Sequence, residues 1–306
     1  MKRVVSVSLG TSKRDSKAVL NILSQEFEVS RVGTDGDMKK FAELLRELDG
    51  KVDAIGLGGC DRYLWVGNRR YVFREIDQLA RIPKVTPVFD GSGVKHTLER
   101  KAIDYLQDNG IVDFGNKKVL VVCAVDRAGM AQAIANLTHK VVFGDLMFNL
   151  GIPIPMRSYS MVRIMAALLA PIITKLPFQW VYPTGEKQEK TVAKYSEYYG
   201  WADVIAGDYH LIKKFMPTVE SGLLKGKVII TNTVTPEDKQ KMIDRGVKLL
   251  VTATPESGGR YFATNVFEGV LVTLIGKKPE EITASDYDEL LKRMNWKPTI
   301  TDLTKA

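Results

Sequence analysis

The chain has 306 residues, of which 45% are hydrophobic and 26% charged. That is the composition of a globular protein of about two domains, long enough to bury two cores without disulfides. The formal net charge is +8, but the lysines are spread along the chain and no basic run interleaves with aromatics. The charge therefore reads as a solvated surface, or as a positive cleft for a phosphate-bearing cofactor and an acid substrate, ahead of nucleic acid. Cys60 and Cys123 lack neighbours at metal-ligand spacing, so no metal site is expected. Few cysteines and no signal peptide point to the cytoplasm.

Residues 3–9 alternate and are β-branched, which predicts a strand. Residues 13–26 carry Ala18, Val19, Ile22 and Leu23 at helical spacing and predict a helix. A strand over 27–32, an amphipathic helix over 37–48 and a buried strand over 52–57 follow. A helix over 71–82 and a strand over 85–89 complete a first α/β domain, placed at 1–112. Strands near 118–123, 140–143, 203–206, 227–231 and 248–253 repeat the pattern in a second domain, 113–276. Thr235-Pro236-Glu237-Asp238 starts a helix with an N-cap, a proline and two acids. Residues 277–306 form a helical tail that packs back on the first domain. The expected fold class is α/β, two Rossmann-like parallel-sheet domains with an interdomain cleft.

The apolar stretch 146–182 is broken by Arg163, Pro171 and Lys175, so no span of about 20 apolar residues crosses a membrane. It reads as a buried helix or a dimer face, with a lid over the cleft as the functional alternative. A homodimer is the expected assembly.

In VVCAVDRAGMAQA a strand runs through a short turn into a helix, the setting in which helix-terminal N–H groups hold a pyrophosphate. The cofactor candidates there are Asp126, Arg127, Ala128, Gly129 and Met130. Asp145 ends the next strand, about 20 residues on, where an acid accepts from ribose hydroxyls. Leu146, Met147 and Phe148 follow it rather than an arginine, so NAD is expected over NADP. Thr231, Asn232 and Thr252 end later strands and face the same cofactor. Asp90, in Asp90-Gly91-Ser92-Gly93, ends a strand that points into the crevice, with Lys95 one helical turn on. These two are the catalytic candidates. Arg260, Thr264 and Asn265, after Gly258-Gly259, and Ser8 and Ser12, beside the first strand, are the substrate-binding candidates. Tyr182, Thr184, Gly185 and Gln188 form a polar loop. His96, His139 and His210 lie far apart and read as structural hydrogen-bonders.

VFDGSGVKHTLE is similar to the N-T-D-G-x-G hinge of the shikimate/quinate 5-dehydrogenase family. NKKVLVVCAVDRAGMAQAI stands where that family has its cofactor turn, and GGRYFATNVFEGVLVTLIGKKPE resembles its late helix. The resemblance covers about half the chain. It implies an NAD(P)-dependent oxidoreductase acting on a small cyclic polyol acid, with Asp90 in the catalytic Asp position and the Asn265 region against substrate. The family's N-V-T-x-P-x-K segment and most of its cofactor glycines are absent. Two alternatives stand beside this reading. One is a non-catalytic small-molecule or nucleotide-binding protein with the same cleft. The other is a racemase or isomerase using Cys60 and Cys123.

Overall fold

The computed structural model describes residues 1–66, 69–181, 191–254, 256–257, 260–261 and 263–305, with backbone alone at 179, 256, 257, 260 and 261. The amino-terminal alternation builds β1 (Lys2–Ser8), which buries Val4, Val5 and Val7. Residues 13–26 are not helical. They form a 3-10 turn at Ser12–Arg14 and strand β2 (Ser16–Ile22), in which Lys17, Val19 and Asn21 face solvent and Ala18, Leu20 and Ile22 face the core. The period is two, not 3.6. Leu23 and Ser24 both take positive φ and return the chain antiparallel into β3 (Gln25–Gly33). That is the geometry of a two-residue hairpin turn, made here without the glycine or asparagine that would announce it.

Helix α1 (Met38–Leu48) is capped by Asp37, which accepts from the Lys39 and Lys40 N–H groups. Strand β4 (Ala54–Gly58) is followed by a hairpin absent from the sequence reading, β5 (Tyr63–Val66) and β6 (Arg69–Val72). Helix α2 (Arg74–Ala80) and the short β7 (Val88–Phe89) follow. The first sheet has the order β2-β3-β1-β4-β7 and is parallel except for β2.

Helix α3 (Ser92–Asp108) leads into the second sheet. That sheet is entered through β8 (Val119–Val121), α4 (Ala128–Leu137) and β9 (Val141–Phe143). The apolar stretch resolves into α5 (Asp145–Phe148), α6 (Tyr159–Ile173) and α7 (Phe178–Val181). Helix α8 (Ser196–Trp201), β10 (Val204–Ala206), α9 (Tyr209–Phe215), β11 (Val228–Thr231), α10 (Pro236–Asp244) and β12 (Leu249–Thr252) continue the alternation. Helix α10 begins at the expected Thr235 N-cap and Pro236, and Thr235 and Asp238 form a capping box. A short hairpin, β13 (Glu256–Ser257) and β14 (Arg260–Tyr261), precedes α11 (Thr264–Ile275), α12 (Ala284–Arg293) and β15 (Thr299–Asp302). The second sheet has the order β15-β12-β11-β10-β8-β9, with β15 alone antiparallel. The fold is therefore α/β, with two Rossmann-like lobes. Among the described residues no helix is long and apolar enough to cross a membrane.

The chain does not finish one lobe before starting the other. Val266, Phe267, Val270 and Leu271 of α11 share a core with Val4, Phe27 and Ala54 of the first sheet. Gly269 makes this approach possible, because a Cβ there would stand 2.8 Å from Val4 Cγ1. Helix α11 thus packs in the first lobe, not in the second where the sequence division at 276 puts it. Helix α12 joins it there through Tyr287, Leu290 and Leu291, and β15 then returns to the second sheet. The lobes are connected after β7, after β12 and after α12.

Helices α3 and α4 meet across the lobes with almost no gap. A Cβ on Gly129 would stand 2.3 Å from the His96 carbonyl oxygen, and the obstacle is backbone. We expect Gly129→Ala to destabilise the protein by about 1–3 kcal/mol through overpacking. Gly115→Ala, whose Cβ meets nothing closer than 3.5 Å, serves as the control. Urea unfolding of the two variants checks this; equal midpoints would contradict the close contact.

Candidate functional site

The carboxyl ends of the two parallel sheets face each other, with the first half of α3 between them. From the first lobe comes Asp61, just beyond β4. From the second come Asp126 and Arg127 beyond β8, and Asp208 beyond β10. From α3 come Lys95, His96 and Glu99. Lys95 is 5% exposed, and its Nζ lies 3.2 Å from Asp61 Oδ1 and 2.7 Å from Asp126 Oδ1. Arg127 is equally buried. Its guanidinium meets Glu99 Oε1 and Asp208 Oδ2, each at 2.5 Å, and its Nε lies 3.1 Å from Asp126 Oδ2. A second interlobe contact joins Arg14 Nη1 to His210 Nε2 at 3.1 Å.

Burial disfavours the charged form of every one of these groups, and neighbours decide which stay charged. For Lys95, the Asp126 and Asp61 carboxylates outweigh burial and hold the ammonium above its usual range. Asp126 is held below the carboxylate range by Lys95 and Arg127 despite burial. Asp61 is pushed up to about 7 by burial and by the Asp126 and Asp90 carboxylates, against Lys95. Burial and the Lys95 charge push His96 down to about 4. Its Nδ1 accepts from the Gly129 N–H at 3.2 Å, so the neutral ring carries its proton on Nε2.

A cavity of about 10 Å³ lies beside this cluster, lined by Tyr63, Leu64, Trp65, Lys95, His96 and Asp126 among others. It has room for about one water molecule. Trp65 and His96 meet edge to face across it, with centroids 6.2 Å apart. Around the same strand ends, Trp65 Nε1, Glu99 Oε2, His210 Nδ1 and Thr252 Oγ1 are buried without a hydrogen-bond partner among the described residues. Orphaned polar atoms are rare in folded proteins, and here they gather between the lobes.

The expected catalytic pair divides. Lys95 is at the centre of the cluster. Asp90 is a structural cap: it accepts from the Arg62 and Tyr63 N–H groups at 2.8 and 3.2 Å and from the Ser92 N–H at 3.0 Å. The cofactor turn does not fit a dinucleotide. Asp145 accepts from the Ala124 and Val125 N–H groups at 3.0 and 2.9 Å, so the chain's own carboxylate takes the donors a phosphate would need. Burial pushes Asp145 up to about 6. Asp126 adds negative charge, Arg127 is consumed by three acids, Gly129 abuts His96, and Met130 is core. Ala128 opens α4. Thr231 donates to the Gly207 carbonyl at 2.8 Å, Asn232 donates to Asp208 at 3.1 Å, and Thr252 is fully buried. NAD and its preference over NADP are set aside on this geometry.

The substrate-binding candidates are also spread out. Ser8 Oγ accepts from Gly10 N–H and Arg31 Nη2, and the Ser12 N–H donates to Asp35. Asn265 is buried and donates to Ser6 Oγ at 2.7 Å, which ties α11 to β1, and Thr264 opens that helix beside Gly91. The side chain of Arg260, and Tyr182, Thr184, Gly185, Gln188, Gly258 and Gly259, lie outside the described residues. Cys60 and Cys123 are buried and their thiols are pushed well up by burial, so neither is an accessible nucleophile and the racemase reading falls. Asp61, Glu99, Asp208 and Trp65 were missed. Asp61 and Asp208 follow short glycine-bearing strand ends, GLGGCD and VIAGD, a signal that was available.

Residues 93–303 match the model of a family described as Domain of unknown function (DUF8754). The chain belongs to the DUF8754 family. Residues 3–90 of this DUF8754 protein match a second model, Domain of unknown function (DUF8753). No match was found among curated proteins. Among solved structures, the chain is similar to the periplasmic binding component of an arabinose ABC transporter from Shewanella sp. ANA-3, bound to L-arabinofuranose. Identity is 13%, the match covers 95% of this chain and 96% of that one, and the TM-score is 0.36. A periplasmic solute-binding protein from Actinobacillus succinogenes 130z with bound D-allose matches at 11% identity, over 100% and 99% of the chains, TM-score 0.37. An ABC transporter solute-binding protein from Agrobacterium vitis, bound with D-tagatopyranose, matches at 9% identity, over 100% and 96% of the chains, TM-score 0.42. The family matches over residues 3–90 and 93–303 correct the resemblance to shikimate/quinate 5-dehydrogenases and the oxidoreductase reading built on it. The cytoplasmic expectation finds no support in these comparisons, whose solved structures include periplasmic proteins, and it is not carried further.

Behind Asp90, Glu268 accepts from the Gly91 N–H at 2.7 Å and from the Tyr287 hydroxyl at 2.9 Å, pinning α11 to the start of α3. Burial and the Asp90 carboxylate push it up to about 8. Its proton is bound more tightly in the folded than in the unfolded chain. The stability it contributes is therefore complete below the ordinary glutamate range and is lost as pH rises through about 8. The buried His96 and His210 work in the opposite sense, so the comparison must be with a variant. Glu268→Gln keeps an acceptor for Gly91 and should lose less stability than the wild type between about pH 5 and 8. Chemical denaturation across that range measures this; parallel curves would contradict it.

Proposed function

We propose that this chain is a small-molecule-binding protein that closes its two lobes on a neutral, hydroxyl-rich ligand held at the facing strand ends. The observation that carries the reading is Lys95, whose ammonium is shared between Asp61 of one lobe and Asp126 of the other. A group bonded to both lobes is positioned to report, and to enforce, their closure.

The chemistry around it narrows the ligand. Lys95 and Arg127 face the carboxylates of Asp61, Asp126, Glu99 and Asp208. Both cations are already paired with carboxylates, so an anionic ligand would have to displace one of them in a site of reduced dielectric. The small-acid substrate expected from the sequence is disfavoured on that ground. A neutral polyol offers each hydroxyl as both donor and acceptor, which suits a mixture of carboxylates, Trp65 Nε1 and His96 Nε2. Trp65, Tyr63 and His96 line the cavity, and the Arg70 guanidinium stands 4.4 Å over the Tyr63 ring and 5.8 Å over the Trp65 ring. With room for about one water, the closed cleft admits such a ligand only when the lobes part.

A thermal-shift screen of neutral sugars and polyols, followed by calorimetric titration, tests the reading. A ligand at a hundred times its Kd adds about 2.7 kcal/mol, which is a rise of several degrees in Tm. Trp65→Ala should retain the fold and bind at least tenfold more weakly. Stabilisation by anionic acids in place of neutral polyols would overturn the proposal.

A further inference from the structure

Helix α6 is apolar nearly all round, which is the pattern of a helix with no solvent face. One side is accounted for. Val162 and Met165 pack in the second lobe's core, while Ala170 and Ile173 pack in the first lobe's core. Among the described residues nothing covers the opposite side. Ile164, Leu168 and Ile172 stand 62%, 63% and 61% exposed, at a strict four-residue spacing that forms one ridge along the helix. Met161 and Leu176 extend the ridge at its two ends, and Trp180 of α7 stands 78% exposed beyond it.

We propose that this ridge is the contact face of a homodimer, with α6 packed antiparallel against α6 of a second copy across a two-fold axis at Leu168. Two features favour a second copy over another occupant. The first is the symmetry of the ridge itself. Reversed about Leu168, Ile164 falls on Ile172 of the partner subunit and Leu168 on its own counterpart, so the face is complementary to itself as a two-fold contact requires. Ridges made of residues four apart are also those that interdigitate in the commonest helix pairing. The second is area. The exposed side chains amount to several hundred Å², at or above the ~300–600 Å² of the largest patch on a typical monomer. That approaches the ~800 Å² per partner of a standard interface. Arg163 lies about 100° round the helix from Ile164, off the ridge, and does not oppose its counterpart. Because α6 packs against both cores, the dimer contact would sit on a helix that touches both lobes.

Sedimentation velocity at tens of micromolar tests the proposal. The wild type should run at twice the chain mass. Leu168→Glu, at an exposed position, should run at the chain mass with its Tm within a few degrees of the wild type. Thiol cross-linking locates the axis, and the buried Cys60 and Cys123 leave the background silent. Leu168→Cys should cross-link to itself. Ile164→Cys should cross-link poorly alone but readily when mixed with Ile172→Cys. A monomeric wild type would overturn the proposal, as would a dimer indifferent to Leu168→Glu. A monomer that floats with lipid vesicles would assign the ridge to a membrane surface instead.

Discussion

Everything between the lobes is arranged around one shared proton-bearing group, the Lys95 ammonium held between Asp61 and Asp126. A buried charge is tolerated only when it is paired, and this one can be paired only if two lobes and α3 meet at one point. The neighbours follow from that constraint. Arg127 balances Asp126 and is balanced in turn by Glu99 and Asp208. Gly129 has no side chain because α4 must lie directly on the His96 backbone. Asp145 replaces an external anion at the β8 turn, so the turn is complete without a ligand.

The alternation of strands and helices was legible because buried parallel strands leave short apolar runs between amphipathic helices. Most elements of both sheets lie where the periodicity puts them. Two features were not legible. The segment 13–26 has apolar residues compatible with both periods, and its hairpin turn uses Leu23 and Ser24 rather than a recognisable turn pair. The return of α11 to the first lobe is a tertiary fact: Gly269 marks a close approach, but nothing in the sequence says that its partner is Val4.

The candidate site was half legible, and the reason is instructive. The search at the carboxyl ends of parallel strands named Asp90, Asp126 and Arg127, with Lys95 on the helix that follows Asp90. Their roles depend on pairings between residues far apart in the chain. Asp90 and Asp145 were read as groups that reach out to ligands, whereas both turn inward and cap backbone N–H groups. An acid after a strand serves either purpose, and only the number of free N–H groups within its reach decides. The resemblance to a dehydrogenase rested on the same turns and was subject to the same ambiguity.

The central claim is that the ion network holds the facing strand ends together. Exposed Arg46 on α1 and Gln240 on α10 belong to different lobes and can carry spin labels as cysteine substitutions. Pulsed dipolar spectroscopy then reads the interlobe distance directly. With Lys95 intact, the distribution should be narrow and short. With Lys95→Ala, which leaves Asp61 facing Asp126 without the cation between them, it should broaden and lengthen. An unchanged distribution would show that the lobes are held by other contacts and would contradict the account.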